Sequence, residues 1–204
     1  MKIQPTIRNG PVLLAPLCPE DARRISLLAG DDAVADTAVL MPHPYSEGAA
    51  EAWIAESTAG WKAGWGAAWK ITRAADGLLV GEVGITMDPE NRSAELGYWI
   101  GKDYWGRGYA TAAAWAAVQF GFEEMGVHRV HASCLRRNAG SARVLERAGL
   151  QYEGCLREHL LHRGRFEDLL LFGAVRDGDM SPAEREGGVC TCLVYHEKHL
   201  RCSS

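Results

Sequence analysis

Residues 98–113 read YWIGKDYWGRGYATAA, and the fold turns on whether this stretch is a spacer or an anion-binding turn. An apolar segment ends at Ile100, Gly101, Gly106 and Gly108 follow with Arg107 among them, and an alanine-rich run begins at Ala110. A strand ending near Ile100 and a helix starting near Tyr109 leave the first N–H groups of that helix unpaired and pointing outward. The helix dipole adds about half a positive charge at that end. Gly106 and Gly108 remove the side chains that would keep a phosphate from the backbone, and Arg107 supplies charge. Two nucleotide-binding motifs share this logic, and neither fits. A P-loop needs G-x-x-x-x-G-K-[ST], but Arg107 and Gly108 follow Gly106. A dinucleotide fingerprint needs G-x-G-x-x-G/A, and Thr111 stands in its last position.

Working outward, residues 67–72, 78–87 and 93–100 have strand character and are separated by the turn-forming clusters at 75–77 and 88–91, so they form an antiparallel meander. After the opening stretch, Trp115, Val118, Phe122 and Met125 recur at spacings of three and four, which predicts a helix over 109–125 with those residues on its apolar face, stopped by Gly126. Residues 129–135 read as a strand, 138–148 as a helix closed by Gly149, and two strands flank Arg163, Gly164 and Arg165. Before the meander, 11–17 is a short apolar strand, Pro19, Glu20 and Asp21 open a helix, and a second helix runs from about 46 to 61. The predicted order is β-α-α-β-β-β-α-β-α-β-β.

The 204 residues suit one domain. We expect it to span 1–176, with 177–204 as a polar linker and tail. A net charge of −4 argues against general nucleic-acid binding, which needs a basic surface. One basic island exists, with five arginines and one acid between Arg129 and Arg147; a solvated helix face is its simplest reading. No membrane span or signal peptide is discernible, so a cytoplasmic location is expected. The six scattered cysteines then read as reduced thiols. His196, His199, Cys190, Cys192 and Cys202 match no zinc spacing, so no metal is expected.

Two segments resemble one family. Trp105-Gly106-Arg107-Gly108-Tyr109-Ala110 is similar to the [QR]-x-x-G-x-[GA] pyrophosphate loop of the GNAT acetyltransferases. Residues 138–150, NAGSARVLERAGL, resemble the N-x-x-S-x-x-[VL]-x-E-[KR]-x-G-[FL] segment of the branch that acetylates N-terminal amines of ribosomal proteins. The resemblance runs from about Val12 to Val175. It implies an α/β (α+β) fold with a mixed, mainly antiparallel sheet of about seven strands flanked by helices, acetyl-CoA as cosubstrate, and an amine acceptor. It further implies that the backbone of Arg107, Gly108, Tyr109, Ala110 and Thr111 holds the pyrophosphate, beside Trp105 and Gly106. The edge formed by Tyr98, Trp99 and Ile100 would pair with pantetheine, Asn138 and Ser141 would reach the same arm, and part of the arginine island would meet phosphate. Trp105 stands where the family often carries Gln or Arg, although this branch commonly uses Trp. Leu145 stands where many members place a tyrosine that protonates the departing thiolate, which makes Ser141 the substitute.

Amine acetylation needs a neutral amine, a polarised carbonyl and a proton for the thiolate. An α-amine is roughly a tenth to a third neutral near pH 7 to 7.5 and a lysine below about 0.2%, so an N-terminal acceptor needs least help from a base. Glu95 resembles the family's strand carboxylate that acts as general base; its alternative is a structural glutamate. Glu158 is the second candidate base. Ser141 reads as thiolate donor or as a packing residue near a helix start. Cys134 reads as core. Tyr45 resembles a substrate contact at the acceptor entrance or an aromatic staple. Two other functions stay open: a small-molecule amine acyltransferase, including one using succinyl-CoA, and an acyl-CoA-binding module without catalysis. The fold permits a homodimer.

Overall fold

The computed structural model describes residues 3–39, 41 and 44–176. Two strands, β1 (Ile7–Asn9) and β2 (Val12–Pro16), precede three helices, α1 (Ala22–Ala29), α2 (Asp32–Thr37) and α3 (Ala49–Ala63). A meander follows as β3 (Gly66–Arg73), β4 (Leu79–Asp88) and β5 (Ser93–Ile100). The chain ends with α4 (Tyr109–Glu123), β6 (Arg129–Leu135), α5 (Ala139–Arg147), β7 (Gln151–His162) and β8 (Arg165–Val175). They build one sheet in the order β1-β2-β3-β4-β5-β6-β8-β7. It has eight strands where about seven were expected, the addition being β1, which is three residues long and pairs with β2. The short helix α2, capped by the Asp31 side chain on the Ala33 N–H, was also not anticipated.

All neighbouring strands are antiparallel except β5 and β6. That parallel ladder has only three register pairs, Ser93 with Arg129, Ala94 with Val130 and Glu95 with His131. Beyond them β5 stays paired to β4 through Ile100, and β6 stays paired to β8 through Leu135. The sheet therefore splits, and residues 96–100 present an unladdered backbone edge to the gap.

The main core lies between the sheet and α4. Its β4–β6 members, Val83, Ile85, Leu96, Val130, Ala132 and Cys134, meet Ala113, Ala114, Ala117, Val118 and Phe120. Of the expected α4 face, Val118 is buried and Phe122 and Met125 pack against the core, and one position is corrected. Trp115 is exposed, and the buried stripe consists mainly of alanines with Gly121. Small residues win because they allow close approach: a Cβ on Gly121 would lie 2.6 Å from Ile85 Cδ1. On the opposite sheet face a smaller cluster of Ala22, Ile25, Ala50, Ile54 and Leu79 packs with Leu17, Leu28, Tyr45 and Trp99. That cover leaves Thr86 on β4, Glu95 and Gly97 on β5 and Ser133 on β6 exposed. The β7–β8 hairpin turns on Arg163 (φ 50°) and Gly164 (φ 79°), as a two-residue loop with both central residues left-handed requires. No helix among the described residues is long and apolar enough to cross a membrane.

Candidate active site

The glycine turn lies beside the gap. Gly106 and Gly108 have φ of 73° and 80°, a region in which β-carbons are strained, and nothing lies within 4 Å of a Cβ built on either. Gly108 is the N-cap of α4 and offers no side-chain acceptor, so the first turn of a 15-residue helix keeps its outward N–H groups uncapped by side chains. Trp105 closes the strand edge, its Nε1 donating to the Ile100 carbonyl at 2.6 Å. Arg107 folds back, with Nη2 donating to the Asp103 carbonyl at 3.0 Å. Its guanidinium carbon, and those of Arg24 and Arg73, all lie 5.9 Å from the Tyr104 ring centre. Three arginines from distant segments thus gather beside the turn, a grouping that sequence spacing alone does not disclose.

The arginine island has a different character. Arg129 pairs with Glu153, Arg136 with Asp168, and Arg137 with both Asp36 and Glu167. Arg143 and Arg147 are exposed on α5 without an ion pair among the described residues. Most of the island is therefore engaged in joining β6 to α2, β7 and β8.

Across the gap, Asn138 caps α5 through Oδ1, accepting from the Ser141 N–H at 3.0 Å. Ser141 Oγ lies 2.7 Å from Tyr98 Oη, which also donates to the Ser141 carbonyl at 3.2 Å. Burial pushes the Tyr98 phenol well above its ordinary value, against the opposing hydrogen bond from Ser141. Burial likewise raises the Cys134 thiol, in keeping with a core residue. Where the resemblance implies a tyrosine at position 145, the chain places Leu145 fully in the core and brings Tyr98 and Ser141 together.

The two acids singled out from sequence occupy different places. Glu95 stands on the exposed sheet face, opposite Thr86 and His131. Burial lowers the His131 pKa, with Glu95 working in the other direction. Glu158 sits on β7, three strands from β5 and beyond the gap. It occupies a bulge between Leu156 and Leu160, with φ 48° and its N–H bonded to Asp168 Oδ1 at 2.9 Å. The structure does not bring Glu158 and Glu95 together.

A third acid escaped the sequence reading. Glu82, in the middle of β4, is 5% exposed. Its Oε2 accepts from Trp53 Nε1 at 3.0 Å and from Trp99 Nε1 at 3.1 Å, while Oε1 is buried without a hydrogen-bond partner among the described residues. Burial outweighs both indoles and lifts the carboxyl to about 7. Tyr45 packs in the same cluster as Trp99, and burial raises its phenol, with the charge of Glu82 adding to the effect. One acid in the apolar run LLVGEVGIT was the available signal. The strand register supplies the rest: Glu82 is opposite Trp99, on the face shared with Gly97 and Glu95.

Among the described residues no group of His, Cys, Asp and Glu could hold a metal ion. The tail residues Cys190, Cys192, His196, His199 and Cys202 lie outside the described residues.

A family model described as an acetyltransferase (GNAT) domain matches residues 12–151. The chain is 32% identical over 99 residues to the uncharacterized N-acetyltransferase p20 of Bacillus licheniformis, covering 48% of this chain and 56% of that protein. It is 27% identical over 100 residues to the ribosomal-protein-serine acetyltransferase of Escherichia coli, covering 48% and 56%. These matches span little more than half the length of each curated relative. The solved structure of Mycobacterium smegmatis RimJ in complex with CoA-disulfide aligns with a TM-score of 0.72 at 26% identity, covering 82% of this chain and 86% of that one. Split sheet, left-handed glycine turn and matched segment agree, and the chain belongs to the GNAT acetyltransferase family.

Proposed function

We propose that the chain moves an acetyl group from acetyl-CoA to a primary amine, and that the acceptor is a protein or peptide N-terminal α-amine. The observation that carries this reading is the open edge of β5 leading, through the turn at 101–108, to the uncapped start of α4. An extended amide-bearing arm fits the edge as a missing strand, and a pyrophosphate fits the N–H groups after Gly108. Arg24 and Arg107 supply positive charge beside that turn, while Arg73 is held by Asp76. The CoA complex of the RimJ relative supports the donor, and the ribosomal-protein-serine acetyltransferase supports the acceptor class.

Transfer proceeds by direct attack of the neutral amine on the thioester. Backbone N–H groups of the β5 edge polarise the carbonyl. Ser141 hands a proton to the departing sulfur, and Tyr98 holds the serine hydroxyl in place. The phenol stays protonated across any working pH, since burial raises its pKa. Glu95 lies on the open face from which an acceptor arrives and is the base we favour from sequence; Glu158, on its bulge beyond the gap, is the less suitable one.

Thiol release and mass spectrometry on a panel of peptides beginning with Ala, Ser or Met, together with polyamines and aminoglycosides, tests this reading. Acetylated peptide N-termini support it. Turnover of small amines alone overturns the acceptor, and no product from any amine overturns the activity.

A further inference from the structure

Glu82 is the feature that packing alone leaves unexplained. A buried carboxylate oxygen with no donor is costly, and native interiors contain few of them. The nearest candidate partner on the sheet is Lys70, its cross-strand neighbour on β3. That ammonium is committed elsewhere: Nζ donates to both Asp21 oxygens, at 2.9 and 2.8 Å, and to Cys18 Sγ at 3.3 Å. The other titratable groups acting on the pocket are Asp21, Tyr45 and, beside Tyr45, Glu51, none of which is a cation. Two indole N–H groups fix Oε2 and therefore fix the direction of Oε1.

We propose that Glu82 Oε1 is the docking point for the ammonium group of the acceptor, between the indoles of Trp53 and Trp99 and beside Tyr45. This rests on the acetyl-transfer reading above and names the acceptor class for it: a primary ammonium on a slender, otherwise uncharged chain. The carboxylate supplies the counter-charge for a cation, while the two indoles hold Oε2 by their N–H edges. Glu82 is 5% exposed and the flanking Trp53 40%, so the ammonium reaches Oε1 as that indole swings aside. The position of Glu82 also suits transfer. Gly97, diagonal to Glu82 across the β4–β5 ladder and so about 7–8 Å away, lies on the strand bordering the gap, and a Cβ built there would meet nothing.

The proton account balances. The ammonium gives one proton to the Glu82 carboxylate, which takes the role of base in place of Glu95. The neutral nitrogen bonds to the thioester carbon, the C–S bond breaks, and the sulfur leaves with its electron pair. The second nitrogen proton reaches that sulfur through Ser141, and Glu82 returns its own to water. Ammonium and thioester have then become amide, thiol and one released proton. A carboxyl held at about 7 lies near an α-ammonium at about 8, so the first transfer is close to balanced.

The test uses tryptophan fluorescence of the full chain near pH 7.5. Alaninamide and propylammonium are titrated separately, with N-acetylalaninamide as the uncharged control. A saturable response to the two ammonium ions alone is expected, with affinity falling roughly 10- to 100-fold in Glu82→Gln, the range for losing a charged hydrogen bond. Trp53→Phe and Trp99→Phe assign the signal to those indoles. KM for the amine should rise by a similar factor in Glu82→Gln while coenzyme A affinity, measured by calorimetry, stays unchanged. An equal response to N-acetylalaninamide in the wild type overturns the proposal and needs no variant to fold. So does transfer with an unaltered KM in Glu82→Gln. Ammonium binding that is lost in Glu82→Gln, in a protein that acetylates no amine, leaves the site standing and removes the transferase reading.

Discussion

Acids on the two sides of the split sheet are treated alike except at Glu82. On the β6–β8 side, arginines meet them: Glu153 with Arg129, Asp168 with Arg136, Asp36 and Glu167 with Arg137. Arg129 lowers the Glu153 pKa and Arg137 lowers that of Asp36, while the Glu158 N–H leads in lowering Asp168, followed by Arg136. On the β3–β5 side Arg73 meets Asp76, and two further acids lie near one lysine. Asp21 takes Lys70, and its pKa falls because hydrogen bonds from Cys18 and Lys70 outweigh the burial that would raise it. Glu82 receives only two neutral indole donors, and its pKa rises. The difference separates charge used to fasten the fold from charge held in reserve.

The largest test of that contrast is stability against pH in Glu82→Gln. Because the folded pKa of Glu82 lies above its ordinary 4.5, the folded state binds the proton more tightly than the unfolded chain does. Native stability therefore falls as pH rises from about 4.5 to about 7 and is level beyond. The neutral amide removes this penalty, so denaturant titration should find the variant more stable by up to about 3 kcal/mol at pH 8. The two proteins should converge near pH 4. A difference independent of pH would break the comparison.

Next comes Gly108→Val, which places a β-branched residue at φ 80°. Coenzyme A affinity should weaken by about 30-fold, equivalent to about 2 kcal/mol of strain and lost approach. Unchanged affinity in a folded variant would remove the anion turn from the site. Ser141→Ala should lower kcat by about tenfold without altering coenzyme A affinity, at the lower end of a general-acid contribution; a drop confined to KM would assign Ser141 to binding. Smallest is Asp32→Ala, which breaks an exposed pair with Arg163 and should change stability by less than about 0.5 kcal/mol. A larger loss would show that charge on this side does more than fasten the surface.

Local patterns in the sequence located much of this. The bounds of β5 and β6 follow from short apolar runs between turn formers, and the glycine turn was legible because φ near 80° demands glycine. What escaped was set by distance along the chain. Arg137 reaches Asp36, 101 residues away, so an island that looked available for phosphate is largely bound by carboxylates. Trp53 and Trp99 meet Glu82 across 29 and 17 residues, and only the register of β4 and β5 places them together. Trp115 misled because large apolar residues dominate a helical pattern, whereas the packed face of α4 required small ones.

The three-pair ladder between β5 and β6 also has a mechanical consequence. Within the sheet, the strands on one side of the gap hold those on the other by a short seam at one end, like two boards joined by a single hinge plate. A strand-like ligand lying in the gap would complete the seam along its length, so occupancy should stiffen the protein as well as load it. Its signature would be amide hydrogens on β5 and β6 that exchange more slowly with coenzyme A bound, while those on β2 and β3 keep their pace.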